Sequence, residues 1–333
     1  MVLDSEFVLQ FDYWVRLINL PISIFGVVIN IYHLRILAKD SIRHTPVFII
    51  MMVICMSDLV QLVGLIANDT KYVVIFNLDL FCPQTDTYYG ALLTLVYNFV
   101  NGFTIFVSSW MVVMMAFFRS LSIKFAMSSF SEFFSKASTA RKLATVVITT
   151  AFFYNLLSCF SRYSIVKKNP LELCDSILNS SEQFFYVSGS ARTNHATVIF
   201  TFFDGIIQLF QVIFFTYSTV FLARFIREAS STKMMRDRES RETERTEGLI
   251  LFTLIPFFLF MFPMIVSNFS FPIYANFSRE PYALLMTDRI LKMLQTINAS
   301  SHCIVCIFMS SQYRDAAKIK LNRFSKVRHS ISG

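Results

Sequence analysis

Residues 46–67 read PVFIIMMVICMSDLVQLVGLIA, and Asp58 is the one charged side chain among them. A helix needs about 20 apolar residues to cross the hydrocarbon core of a bilayer. This stretch is long enough, and it is apolar on every side rather than along one stripe, so as a helix it suits lipid better than the surface of a soluble domain. Working outward, six more stretches of the same kind appear: Tyr13–Leu37, Thr87–Phe118, Leu143–Ser161, Ala196–Phe225, Gly248–Phe269 and Met286–Met309. Lipid offers no partner for an unpaired backbone group, so each is expected to be helical. The sequence predicts an all-α membrane protein, a seven-transmembrane-helix bundle over residues 13–309. Residues 1–12 form an outer N-terminus, and residues 310–333 a short inner amphipathic helix and tail.

Composition agrees. Hydrophobic residues make up 55% of the chain and charged residues 16%, against about a quarter charged in soluble domains. The net charge of +8 sits between the apolar stretches, which points to a cytoplasmic membrane face and not to nucleic acid. With the N-terminus outside, twenty-one of the 30 Lys and Arg fall in the three inner loops and the tail. That bias predicts a multi-pass plasma-membrane protein with its C-terminus in the cytoplasm. The acidic N-terminus lacks the features of a cleaved leader, so the first span serves as an anchor. Cys82, before the third span, and Cys174, in the second outer loop, both face the oxidising side and are expected to form a disulfide. Asn179-Ser-Ser and Asn276-Phe-Ser are outward glycosylation sequons. Ser311–Phe324 alternates apolar and basic residues, as a helix lying on inner-leaflet lipid does.

Motifs in several spans add a resemblance. The first span carries Gly26-Val-Val-Ile-Asn30-Ile-Tyr-His33, the second Met56-Ser57-Asp58-Leu59. The third ends Ser109-Trp110 through Ala116-Phe-Phe-Arg119, and the seventh reads Thr296-Ile-Asn298-Ala-Ser-Ser-His302. In this order the motifs resemble rhodopsin-like receptors, and more closely the nematode serpentine receptor class W chemoreceptors, which are similar to FMRFamide-type neuropeptide receptors. The resemblance implies a G-protein-coupled receptor that binds an extracellular peptide or environmental chemical and activates a heterotrimeric G protein. It also implies that Arg119, ending the third helix, meets the G protein. The chain departs from the usual pattern in five places, one of them Gln211 in the fifth span, where a proline is common. Phe118 replaces the acid before Arg119, Met261 the aromatic residue two before Pro263, and His302-Cys303 the Asn-Pro pair. Cys306 stands where a tyrosine is usual.

The residues also speak for themselves. Asp58, an acid inside an apolar helix, is costly without partners and marks a functional site by default. Asn30, Ser108, Asn298 and His302 lie at similar depth. By the resemblance, this cluster holds a sodium ion or ordered water; the alternative is a protonated or hydrogen-bonded Asp58 that only ties helices together. No other metal or cofactor is expected. Pro263 removes a backbone hydrogen bond and is expected to kink the sixth span. Asn98, Asn101, Asp204, Gln208, Asn268, Asp288 and Lys292 combine polarity with an outer depth, and are the candidate ligand-binding residues. Asn101 stands where amine receptors carry an aspartate, which counts against a monoamine. A ligand-gated channel or transporter is the alternative class, but neither an internal repeat nor a filter sequence supports it. An intramembrane enzyme would need a paired catalytic constellation, and none is present.

Overall fold

The computed structural model describes residues 5–77, 87–124, 136–168, 184–188, 195–231, 257–272, 282–309 and 313–317. Along these the chain forms α1 (Ser5–Leu37), α2 (Pro46–Asn77), α3 (Tyr88–Lys124), α4 (Ala137–Arg162), β1 (Ser164–Lys168) and β2 (Phe184–Ser188). It continues with α5 (His195–Ser231), α6 (Phe257–Pro272), α7 (Tyr282–Met309) and a short helix α8 (313–317). Helices α1 to α5 are each long and apolar enough to cross a membrane, and α6 is a shorter apolar helix over its described part. Helix α7 has length enough, at 28 residues, but carries Asp288, Arg289 and Lys292 near its start.

The helices run past the lipid-crossing stretches. α1 begins at Ser5, inside the segment assigned to the N-terminus, and α2 continues from Ala67 to Asn77. Hydropathy marks only what lipid must cover, whereas the helical hydrogen-bond ladder continues where charges find partners. The antiparallel pair β1–β2, with Ser164 opposite Ser188, was not anticipated in the second outer loop. Cys82, Cys174, Asn179, Asn276 and residues 318–324 lie outside the described residues, so the expected disulfide, the sequons and most of the amphipathic tail do as well. Pro263 lies within α6.

Helix α3 packs against α2, α4 and α5, while α1 sits between α2 and α7. The apolar core gathers where α1, α3 and α7 end and α2, α4 and α6 begin. It includes Ile36, Ile50, Met111, Val113, Ala140, Phe215 and Phe257, with the Phe215 and Phe257 rings 4.1 Å apart. Large side chains also point away from the bundle: Phe153 is 63% exposed and Phe160 71% exposed. Such surfaces are stable in lipid and a liability in water. Hydroxyls inside the spans bond the carbonyl one turn back, as Thr201 does to Thr197 and Thr219 to Phe215, each at 2.7 Å. A helix without water satisfies its hydroxyls this way.

Gly26 shows how closely three helices approach. A Cβ there would lie 2.2 Å from Ser300 Oγ and 2.9 Å from Leu62 Cδ1. Ser300 Oγ is itself held by the Thr296 carbonyl at 2.8 Å.

Candidate functional site

The other half of the bundle is built differently. Helices α3 to α7 enclose a cavity of about 440 Å³. All seven residues singled out for ligand binding line it: Asn98, Asn101, Asp204, Gln208, Asn268, Asp288 and Lys292. Five of the seven side chains are already engaged with one another or with neighbours. Asp204 accepts from Tyr154 Oη on one oxygen at 2.6 Å and from Arg162 on the other at 2.5 Å. Lys292 pairs with Asp288 at 2.8 Å. Asn268 donates to Gln208 at 2.9 Å. Asn101 Oδ1 is buried, with no hydrogen-bond partner among the described residues. Arg162, which anchors one side, was not singled out from the sequence; it ends α4 and looked like an ordinary interfacial cation.

A second cavity of about 80 Å³ lies deeper, walled by Asp58, Ser108, Asn298 and His302, together with His33 and Gln61. Asp58 is 1% exposed. Its Oδ1 accepts from Ser108 Oγ at 2.9 Å. Its Oδ2 lies 3.6 Å from His302 Nε2, too long for a hydrogen bond, and neither atom has a hydrogen-bond partner among the described residues. Asn30 turns elsewhere: its amide donates to the carbonyls of Gly26 and Ala299, each at 2.9 Å. It therefore fastens α1 to α7 rather than reaching the acid. The carboxylate, the hydroxyl and the nearby carboxamides are the oxygen donors a small hard cation takes. At roughly 30 Å³ per water in the liquid, the cavity also has room for a few waters. The residues fit either occupant.

The two cavities share a partition. Ile105, Ser109, Met261, Met264 and Gln295 line both. Gln295 reaches Met264 Sδ at 3.2 Å, and Gln211 donates to Ser109 Oγ at 3.1 Å. Met261, standing where an aromatic residue is usual, is part of this floor.

Two further clusters went unread in the sequence. At the end of the bundle that holds the larger cavity, Arg16 bonds Asp12 and Asp69, each at 3.0 Å. Asn19 donates to Asp69 at 2.9 Å, and Arg289 of α7 reaches Asp12 at 2.6 Å. Arg16 also lies 4.0 Å over the Tyr72 ring. Asp12, Arg16, Asn19 and Asp69 are all buried. The Asp12–Arg16 spacing, one helical turn, was the available signal. At the other end, Tyr313 of α8 is fully buried and its hydroxyl lies 2.7 Å from His33 Nδ1. Lys39 donates to the Ala316 carbonyl. Together these fix α8 to the end of α1. Arg119 lies in the last turns of α3, which ends at Lys124.

Residues 17–323 match the family model described as Serpentine type 7TM GPCR chemoreceptor Srw. No curated protein matches the chain. The matched segment takes in α2 to α7 complete, both cavities and α1 from residue 17 onward, so the receptor bundle described above belongs to a receptor family and not to an enzyme family.

Proposed function

Because this chain belongs to the serpentine Srw family of seven-transmembrane GPCR chemoreceptors, we propose that it binds an extracellular peptide or environmental chemical in the 440 Å³ cavity and activates a heterotrimeric G protein at the opposite end. The observation that carries this reading is the shared partition. A ligand resting on Met261, Met264 and Gln295 presses on side chains that also wall the Asp58 cavity. Occupancy above is thereby tied to packing below, and the ligand selects the bundle conformation it fits best. Asp58, Ser108, Asn298 and His302 would hold a sodium ion or water, whose charge or hydrogen bonds set the balance between conformations. Arg119, at the inner end of α3, contacts the G protein in the open bundle. The orientation that supports this is N-terminus outside and C-terminus inside, with α8 on inner-leaflet lipid. A Cys82–Cys174 disulfide and sugars on Asn179 and Asn276 belong to the same outer face.

The test is nucleotide exchange in cells carrying a panel of Gα chimaeras, screened with chemical and peptide libraries. Arg119→Ala is expected to abolish exchange at matched surface density. Normal exchange by that variant overturns the assigned coupling, and a ligand-gated current without any G protein replaces the receptor reading with a channel.

A further inference from the structure

The larger cavity presents charge in an unusual form: all of it is already paired. Among the described residues, four charged side chains line it, namely Arg162, Asp204, Asp288 and Lys292. Both oxygens of Asp204 are taken, by Tyr154 and by Arg162. Asp288 holds Lys292 at 2.8 Å and has Arg289 at 3.6 Å. Arg289 in turn is matched by Asp12 at 2.6 Å, so the layer behind the cavity balances as well. A ligand ammonium arriving at Asp204 would have to displace a guanidinium, and a ligand carboxylate arriving at Lys292 would have to displace Asp288. Either exchange leaves an uncompensated charge in a setting that solvates it poorly. What the cavity does offer is uncharged hydrogen bonding. Asn101 Oδ1 and Thr197 Oγ1 are buried there without partners among the described residues, and Asn101 Oδ1 can only accept. Phe99, Phe106, Phe271 and Leu291 supply apolar wall. The volume falls within the usual range of small-molecule sites, roughly 300–1,000 Å³.

We propose that the ligand of this cavity has zero net charge and brings amide N–H donors: a small peptide-like molecule, either uncharged or zwitterionic, rather than an amine or an acid. This rests on the reading of the cavity as the ligand site. The N–H reaches Asn101, and a zwitterion, like an uncharged ligand, leaves the net charge of the cavity at zero.

The probe is a library of dipeptide cores, each in four terminal forms of nearly equal size. The free dipeptide is zwitterionic, the N-acetyl amide uncharged, the N-acetyl acid anionic and the amine-bearing amide cationic. Binding is read as thermal stabilisation of the purified full-length receptor, followed by titration. For any core that binds, the two neutral forms are expected to bind at least about tenfold more tightly than either charged form. Two variants then move the preference in opposite directions. Asp204→Asn leaves Arg162 unmatched and shifts preference toward the anionic form; Arg162→Gln leaves Asp204 unmatched and shifts it toward the cationic form. A misfolded receptor cannot produce that crossing. Asn101→Leu is expected to weaken the neutral forms about tenfold. A library without binders among the neutral forms, or with binders led by a charged form, overturns the proposal. If those charged binders still respond to Asp204→Asn and Asn101→Leu, the cavity remains the ligand site and only the charge rule falls. Neutral binders indifferent to all three variants place the ligand elsewhere, which overturns both.

Discussion

Asp58 and Arg289 are both ionisable side chains packed inside the bundle, and they meet that problem differently. Asp58 has one good hydrogen bond, from Ser108, and a cavity beside its second oxygen. Asp58→Asn keeps the shape and removes the charge. Basal nucleotide exchange is expected to change, and any response of exchange to sodium should vanish; an unaltered sodium response would exclude Asp58 from ion binding. Arg289 lies against Asp12, itself buried and shared with Arg16. Arg289→Leu leaves that buried acid short of one cation, and removing one partner of a buried pair typically costs about 3–5 kcal/mol. The thermal midpoint of the purified receptor should fall clearly, and Asp12→Asn in the same chain should recover part of the loss. Absence of any recovery would show that the two side chains do not act as a pair. Asp58 was legible in the sequence because a lone acid in residues 46–67 has no ordinary explanation. The Asp12–Arg289 contact was not, because its partners stand at opposite ends of the chain and each looked like a charge near a helix end.

At the scale of elements, hydropathy picked out the apolar stretches that form long helices and missed how far α1 and α2 continue past them. Composition sees the solvent a helix needs, while the end of a helix is set by capping and by partners for its last charges. The β1–β2 pair was likewise missed: Phe184–Val187 are strand formers, but each run is only five residues long and fifteen residues separate the two. The seven cavity residues were legible because depth can be counted along a span and polarity is read directly; Arg162 was missed because its own helix end explained it. Packing between elements yields a sharper expectation at Gly26. A side chain there must push Ser300 from its bond to Thr296 and displace Leu62. Gly26→Val should therefore cost about 1–3 kcal/mol, the usual range for overpacking, seen as a lower thermal midpoint. A second expectation concerns α8. Tyr313→Phe retains the buried ring and removes the hydroxyl that meets His33. The loss should be about 0.5–1.5 kcal/mol, a typical net hydrogen bond, and hydrogen exchange should rise in residues 313–317 before it rises in α1. Simultaneous loosening of both would show that the ring, and not the hydroxyl, holds α8.

Across the whole molecule, the two halves divide the work. One half is close-packed apolar side chains, and the other is a polar cavity rimmed by ion pairs, with a thin partition between the Asp58 cavity and the larger one. The orientation proposed for this arrangement is checked by epitope tags at both ends, stained with and without permeabilisation; a tail reached from outside would refute it. The ion cluster that joins α1, α2 and α7 also bears on the order in which the protein is made. Asp12 and Arg16 emerge from the ribosome long before Arg289, so the first helix enters the membrane carrying an acid whose second partner has not yet been synthesised. Until α7 arrives, α1 and α2 are an unfinished assembly that the cell's membrane quality control can recognise. A chain broken off before residue 282 should be degraded even though five of its helices can each cross the bilayer, and α7 is the helix that certifies the first.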